Sequence, residues 1–146
     1  MIIAIDFDGT IVEHKYPAIG KEVPGAVETL KQLIRDGHRL ILWSVREGKL
    51  LDEAVRWCEG RGITFYSVNK DFAEETEADR HFSRKLKADL FIDDRNLGGL
   101  PDWKVIYQMI ASGNPHQPLH VTTVIDTRQA EMMKRYKKSS RRGRFF

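Results

Sequence analysis

The sequence predicts an α/β domain: a three-layer, Rossmann-like fold built around a mainly parallel sheet. Short apolar runs alternate along the chain with segments whose apolar residues recur at helical spacing, as in strands joined by crossover helices. The runs are apolar almost without interruption, which is typical of parallel strands buried on both faces. Two of them end in aspartates, Asp6 with Asp8 and Asp93 with Asp94. The carboxyl ends of parallel strands share one edge of a sheet, where ligands bind.

The first half of the chain supplies two predicted strands and two predicted helices. Residues 2–5 (IIAI) predict a short buried strand, and the polar residues 11–23 predict a loop. A helix is predicted over 24–37, because proline suits its first position and glycine its end. The apolar run 38–44 predicts a second strand, and 49–60 predicts a second helix with an apolar side.

The second half repeats this alternation. The run ITFYSV (63–68) predicts a third strand, and the strongly charged residues 69–88 predict a connection that contains a short helix. The run DLFIDD (89–94) predicts a fourth strand, followed by a helix over 101–113 that ends at a glycine. Residues 119–125 predict a fifth strand or an appended edge segment.

Composition indicates an ordinary globular domain. The chain has 146 residues, of which 41% are hydrophobic and 31% charged, and a chain of this size can bury a sizeable core. No stretch is apolar enough to cross a membrane, and the N-terminus lacks the pattern of a secretory signal. Cys58 is the single cysteine, which excludes an internal disulfide and a thiolate zinc cluster. We therefore predict a cytoplasmic protein without membrane association.

Positive charge is concentrated near the C-terminus. Residues 134–146 contain seven Lys or Arg and no acid, so residues 1–133 carry 17 basic and 21 acidic residues, a balance of −4. We predict a core domain over residues 1–125 and a basic helix or disordered tail over 126–146. A basic segment of this kind either is simply solvated or binds nucleic acid.

The aspartates at the strand ends predict a metal site. Four carboxylates brought to one edge would repel one another unless a cation held them. An all-oxygen set without a His or Cys cluster favours Mg²⁺ over zinc. A carboxylate beside that ion can attack phosphorus and form an aspartyl-phosphate.

Four segments resemble the motifs of the haloacid dehalogenase (HAD) superfamily, in the order in which that family has them. The first motif, DxDxT, resembles DFDGT, and the second, an apolar strand that ends in Ser or Thr, resembles LILWS. The third and fourth, a lysine followed by an acidic strand end, resemble RKLK and ADLFIDDRN. The gaps between motifs are too short for an ordinary cap domain. The resemblance implies a minimal, capless member with an open site, suited to a bulky substrate or closed by another subunit of a homo-oligomer.

The resemblance implies roles for the four aspartates. Asp6 would be the nucleophile and a Mg²⁺ ligand. Asp8 would protonate the leaving oxygen and then deprotonate the attacking water, while its backbone carbonyl touches the metal. Asp94 would bind the metal directly, and Asp93 would bind it directly or through water. Because phosphatases of this family keep an aspartate at the position of Asp8 and dehalogenases do not, its presence favours hydrolysis of a phosphate monoester.

The resemblance also implies a phosphate-binding set. Ser44 would donate to a phosphoryl oxygen, Thr10 belongs to the same set, and Lys85, or alternatively Lys87, would neutralise phosphoryl charge. Without the resemblance, Ser44 would be a surface cap and Lys85 a solvated lysine. Arg46 lies in SVREGKLLDEAVRWCEGRG, which faintly resembles the phosphatase domain of phage polynucleotide kinase. That likeness predicts a substrate contact for Arg46, whereas the plainer interpretation is an exposed arginine at the start of a helix.

The function predicted from the sequence is therefore a Mg²⁺-dependent phosphatase that hydrolyses a phosphate monoester through an aspartyl-phosphate. One alternative is a nucleotide or nucleic-acid 3′-end phosphatase, which would use Arg46 and the basic segment. Another is a non-catalytic module with this fold that binds nucleic acid, although such a module would not need both Asp6 and Asp8. His14, close to the first motif, is a further candidate for contact with the substrate.

Overall fold

The structure is a computed structural model, and it describes residues 1–118 together with residues 132, 134 and 135. Residues 1–115 form one compact unit. In chain order, its strands and helices are β1 (Ile2–Ile5), α1 (Ala26–Arg35), β2 (Arg39–Leu42), α2 (Gly48–Glu59), β3 (Ser67–Val68), β4 (Leu90–Ile92) and α3 (Trp103–Ala111). The predicted strand over 119–125 lies outside the described residues, as does most of the predicted basic segment over 126–146.

The four strands form one parallel sheet in the order β3-β2-β1-β4. β1 is central, because it pairs with β2 on one side and with β4 on the other. Ile5 at the end of β1 is in register with Leu42 on β2 and with Ile92 on β4. The three strands therefore end side by side, and the residues that follow them meet at one edge. The Rossmann-like α/β fold with a parallel sheet is confirmed, and residues 1–118 contain no cap domain.

The two faces of the sheet are covered differently. Ile3 and Ile5 point to one face, where buried residues of all three helices pack against them. Ala4 points to the other face, because side chains alternate along a strand. There the cluster around Ala4 includes Leu86 and, at its margin, Ala88. Among residues 1–115, an irregular segment therefore packs against the second face, and the three helices of this unit all lie on the first, although the predicted three-layer fold has helices on both faces.

The helices begin or end within two residues of the predicted bounds, a difference that is ordinary at frayed ends. α1 begins at Ala26 rather than at residue 24, because Gly25 adopts a φ of 82° and cannot be part of the helix. α2 spans Gly48–Glu59 and α3 spans Trp103–Ala111. Within the described part of the chain, no helix has the length and apolarity needed to span a membrane.

The prediction of a short helix within residues 69–88 is wrong. This segment consists of turns and bends, in which side chains take the place of helical hydrogen bonds. The backbone N–H of Asp71 donates to Glu75 Oε2 at 2.8 Å, and that of Thr76 donates to Asp79 Oδ2 at 2.6 Å. Such local bonds compete with helix formation. The third strand is also shorter than predicted, since only Ser67 and Val68 pair with β2.

Candidate active site

The site is held at the end of β1 by a buried phenylalanine between two aspartates. Phe7 is fully buried, and its ring meets the Trp57 ring edge-on, with 5.8 Å between the centroids. Its carbonyl accepts hydrogen bonds from the N–H groups of Thr10, Ile11 and Val12. This tight turn fixes the backbone from which Asp6 and Asp8 project.

Three aspartates converge where β1 and β4 end. The Asp6 N–H donates to Ile92 O at 3.0 Å, so the pairing of the two strands extends to the first catalytic candidate. One carboxylate oxygen from each of Asp6, Asp93 and Asp94 lies within 4.8 Å of the others. These oxygens provide the hard, anionic ligands that Mg²⁺ prefers. The chemistry of this donor set fits the predicted ion.

Thr10 orients two of these carboxylates. Its hydroxyl lies 3.1 Å from Asp6 Oδ2 and 3.2 Å from Asp94 Oδ1, and it accepts a hydrogen bond from the Asp94 N–H at 3.1 Å. Thr10 is fully buried, and its own carbonyl accepts a hydrogen bond from the Trp103 indole at 3.1 Å. The structure therefore places Thr10 beneath the carboxylates, rather than among the residues that line the open cavity.

Crowding of negative charge perturbs Asp6. Burial, a hydrogen bond with the Asp94 carboxyl and the charge of Asp93 together raise the pKa of Asp6 from 3.8 to about 7. In the metal-free protein near neutral pH, this carboxyl is therefore protonated in a large fraction of molecules. A divalent cation would favour the ionised form, because an opposite charge lowers a carboxyl pKa.

We expect the Asp6→Asn variant to be more stable than the wild type in metal-free buffer at pH 7.5, with the difference vanishing near pH 4. Between its unfolded pKa near 3.8 and its folded pKa of about 7, Asp6 holds a proton in the folded chain that the unfolded chain has released. Stability contributed by this group therefore falls as the pH rises through that interval. Urea unfolding of both proteins in chelator measures the difference, and Asp52→Asn on the exposed side of α2 is the control. Equal stability of wild type and Asp6→Asn at both pH values would contradict this account of the cluster.

Gly9 allows Asp94 to reach the cluster. Its φ is +87°, and a Cβ added there would lie 2.3 Å from Asp94 Oδ2. Glycine is therefore required at this position for two reasons, the left-handed backbone and the close approach of the carboxylate.

Asp8 lies beside the cluster but has a different partner. Arg46 Nε donates to Asp8 Oδ2 and Arg46 Nη2 donates to Asp8 Oδ1, both at 2.7 Å. Both Asp8 oxygens are therefore engaged in a bidentate ion pair. Arg46 is only 1% exposed, so the interpretation of Arg46 as an exposed arginine is wrong. The expected role of Asp8 at the metal concerned its backbone carbonyl, and its carboxylate is not among the three that converge.

A cavity of about 530 Å³ opens over these groups. Its lining includes three aspartates, Asp6, Asp8 and Asp93. Ser44, the residue predicted from the second motif, also lines it. The remaining lining residues are His14, Tyr16, Trp43, Val45 and Arg95. The structure therefore brings the ends of β1, β2 and β4 together around one cavity, as the sequence predicted.

Ser44 is held in place by its neighbours. Its N–H donates to Asn69 Oδ1 at 2.8 Å, and its hydroxyl oxygen accepts a hydrogen bond from the Arg46 N–H at 3.1 Å. Because the hydroxyl accepts in this contact, its own proton remains available to donate to a ligand in the cavity.

The two candidate lysines do not line this cavity. Lys85 is exposed, and its ammonium lies 5.6 Å from the centre of the Phe91 ring. Lys87 donates to the carbonyl of His81 and lies 3.8 Å from Asp71 Oδ2. The cation that does line the cavity is Arg95, whose guanidinium has no hydrogen-bond or ion-pair partner among residues 1–118. Arg95 was not predicted from the sequence as a site residue, although it directly follows the paired aspartates of the fourth motif.

Comparison with known proteins gives one informative likeness. No protein-family model and no curated protein matches the sequence, so the resemblance to the HAD superfamily depends on the motifs quoted above. A solved structure, that of a conserved protein coded by a locus from Bacteroides thetaiotaomicron, is similar to this chain with a TM-score of 0.73 and 62% identity. The match covers 81% of this chain and 98% of that one. It supports the fold and carries no statement of activity.

Proposed function

We propose that this chain, which belongs to the same family as the conserved Bacteroides thetaiotaomicron protein, is a Mg²⁺-dependent phosphatase that acts through an aspartyl-phosphate on Asp6. The observation that carries the proposal is the convergence of Asp6, Asp93 and Asp94 within 4.8 Å, with a fourth carboxylate, Asp8, on the same cavity. A structural role alone would not favour such crowding, because like charges destabilise one another.

Asp6, Asp93 and Asp94 would hold the ion. When bound, Mg²⁺ would neutralise these carboxylates and withdraw charge from the phosphoryl oxygens. The protein's own contribution begins with orientation, since the Thr10 hydroxyl lies within 3.2 Å of both Asp6 and Asp94. Phosphoryl transfer depends mainly on such positioning and on charge stabilisation.

Two steps follow from this arrangement. Before the first step, Asp8, which is ionised in its ion pair with Arg46, takes up a proton from solvent. An Asp6 carboxylate oxygen then attacks phosphorus, the bond from phosphorus to the ester oxygen breaks, and the leaving oxygen takes that proton from Asp8. In the second, water attacks the phosphorus of the aspartyl-phosphate and gives its proton to Asp8. The bond from phosphorus to Asp6 then breaks, which releases inorganic phosphate and restores the Asp6 carboxylate. Asp8 thus serves as acid and then as base.

Arg95 is the group that we propose to neutralise phosphoryl charge, in place of Lys85. It lines the cavity and carries a guanidinium without a protein partner among residues 1–118. A guanidinium can engage two phosphoryl oxygens at once. Ser44, whose hydroxyl proton is available, would donate to a third.

The mouth of the cavity suggests the class of alcohol that the phosphate esterifies. Tyr16 is 46% exposed and Val45 is 81% exposed, and both line the cavity together with Trp43. Exposed apolar side chains beside a polar site are typical of ligand-binding surfaces. We propose a phosphate ester whose alcohol carries an apolar or aromatic group. A nucleoside monophosphate belongs to this class, which keeps the nucleotide phosphatase as the second candidate.

A matched pair of esters tests both parts of this proposal. We expect the protein with Mg²⁺ to hydrolyse 2-phenylethyl phosphate with a kcat/KM at least about tenfold above that of glycerol 1-phosphate. The two alcohols are both primary, so the difference reports binding at the cavity mouth more than leaving-group reactivity. The Val45→Ser variant should reduce this preference, whereas Val27→Ser on α1 should not.

The outcomes separate the activity from the substrate class. If the folded protein hydrolyses neither ester, nor an aryl phosphate or nucleoside 3′-monophosphate, the proposed phosphatase is wrong. If it hydrolyses them without the preference, the activity stands and the apolar substrate class is wrong. The proposal of nucleic-acid binding through residues 126–146 concerns a segment largely outside the described residues and stays a prediction.

A further inference from the structure

Arg46 is the most completely satisfied charged side chain at the site. Its side chain is buried, and each of its five N–H groups has an acceptor. Nε and one Nη2 proton reach the two oxygens of Asp8. The other Nη2 proton reaches Ala18 O at 3.0 Å, while Nη1 donates to Pro17 O at 3.1 Å and to Leu50 O at 3.4 Å. A guanidinium has five N–H donors, so none remains for a substrate.

In this arrangement Arg46 has no free N–H group for the substrate contact that the sequence predicted, and that contact stays a prediction. The burial of Arg46 also calls for an explanation, because burying a guanidinium is costly unless its hydrogen-bond partners are in place. The bidentate pair with Asp8 fixes both the position and the plane of that carboxylate. The rings of Phe7 and Tyr16 flank the guanidinium, with their centres 5.3 Å and 5.2 Å from Arg46 Cζ.

The pair with Arg46 separates Asp8 from the other carboxylates. Asp8 follows Asp6 by two residues and lines the same cavity, yet among the residues that the structure describes the cluster is formed by oxygens of Asp6, Asp93 and Asp94. Both Asp8 oxygens are turned to Arg46 instead. A free carboxylate at this place would be drawn toward a divalent cation and could become an additional ligand. A carboxylate bound to the metal would not be available to take up a proton, whereas the two hydrogen bonds from Arg46 occupy only two of the roughly four lone-pair sites of Asp8.

We propose that Arg46 is a positioning residue that keeps the Asp8 carboxylate out of the metal cluster and reserves it for proton transfer. Arg46 thereby divides four neighbouring aspartates into three metal ligands and one acid–base group. The backbone carbonyls of Pro17 and Ala18, which accept hydrogen bonds from Arg46, belong to the loop that carries Tyr16. Asp8 is therefore fixed relative to the wall of the cavity. The acid–base part of this inference rests on the proposed function, whereas the part on metal binding does not.

Metal binding tests the proposal without reference to activity. We expect the Arg46→Gln variant to bind Mg²⁺ about tenfold more tightly than the wild type by calorimetry, because Asp8 is then free to join the cluster. In an Asp8→Asn background the same substitution should have little effect, since the added ligand is missing. This double-mutant cycle isolates the coupling between Arg46 and Asp8. Arg56→Gln, at an exposed position of α2, is the matched control.

Leaving-group dependence tests the acid–base part. General acid catalysis matters most for esters with poor leaving groups, so Arg46→Gln should lower the kcat/KM for an alkyl phosphate, which reports formation of the aspartyl-phosphate, by about 100-fold. For dinitrophenyl phosphate, which needs no protonation in that step, we expect a loss in kcat/KM of about fivefold, in line with Asp8→Asn. A role in folding alone would lower both rates by the same factor. Arg46→Lys keeps the charge and provides a second variant if Arg46→Gln does not fold.

Each arm has a result that would overturn the proposal. Folded Arg46→Gln protein that binds Mg²⁺ with unchanged or weaker affinity would show that Arg46 does not restrain Asp8 from the metal. Equal losses for alkyl and dinitrophenyl esters would show that Arg46 does not act through proton transfer. If the wild type hydrolyses no ester at all, the proposed function fails, and the metal arm still decides the role of Arg46.

Discussion

Substitution of Asp6 by asparagine is expected to reduce phosphate-monoester turnover by more than about 10⁴-fold, the scale of losses seen when a catalytic nucleophile is removed. The amide cannot supply the carboxylate oxygen that attacks phosphorus. The variant should still fold, because asparagine has nearly the same shape and removes one negative charge from the cluster with Asp93 and Asp94. Steady-state kinetics in saturating Mg²⁺ measures the loss, and circular dichroism establishes the fold.

A matched control makes this result interpretable. Asp52→Asn makes the same chemical change on the exposed side of α2 and should keep the wild-type rate. If folded Asp6→Asn protein retained a rate within about tenfold of the wild type, the loss would be too small for a nucleophile. Asp6 would then be a metal ligand only, and another group or water would attack phosphorus.

Removal of the metal is the second large effect that we expect. Chelation should lower the turnover rate about 10³-fold, which corresponds to a loss of several kcal/mol of transition-state stabilisation. Added Mg²⁺ should restore the rate. Without a cation, the carboxylates of Asp6, Asp93 and Asp94 repel both one another and the phosphate dianion. The Asp94→Asn variant should need more Mg²⁺ for half-maximal rate, because it loses one of the three converging oxygens.

The control for chelation is recovery of activity when Mg²⁺ is returned to the chelated protein. Protein treated with EDTA, freed of the chelator and then supplied with Mg²⁺ should regain its rate, which shows that chelation did not denature it. Full turnover in EDTA, with no metal detected in the protein by elemental analysis, would contradict a metal-dependent mechanism. It would also contradict the proposed role of the aspartate cluster in metal binding.

The sheet and its acidic edge could be predicted because they follow from local patterns. Apolar runs that end in Asp6 and in Asp93 mark buried strands, and parallel pairing then brings these ends together. The position of Ser44 at this edge followed from the same rule, since it stands just beyond β2, whereas its role toward phosphate came from the family resemblance. The shared edge required only that the strands be parallel, as strands joined by crossover helices are.

What the sequence did not predict depends on contacts between distant segments. Arg46 resembled an exposed residue because most arginines are exposed, and its partner Asp8 lies 38 residues earlier in the chain. The choice of Lys85, with Lys87 as the alternative, followed a motif position, whereas in the structure Lys85 lies against Phe91 and Arg95 lines the cavity. Which cation reaches a site is decided by the path of an irregular segment, and residue spacing does not give that path.

Direct detection of the covalent intermediate tests the central claim most directly. The Asp8→Asn variant should form the aspartyl-phosphate from dinitrophenyl phosphate, which needs no acid, but hydrolyse it slowly, because the base is missing. Borohydride reduces an acyl phosphate to an alcohol, so quenched samples should contain homoserine at position 6, identified by mass spectrometry of the N-terminal peptide. We predict this product in the presence of Mg²⁺ and its absence in EDTA. Release of dinitrophenol in Mg²⁺ with an unmodified Asp6 throughout the reaction would contradict nucleophilic catalysis by this residue.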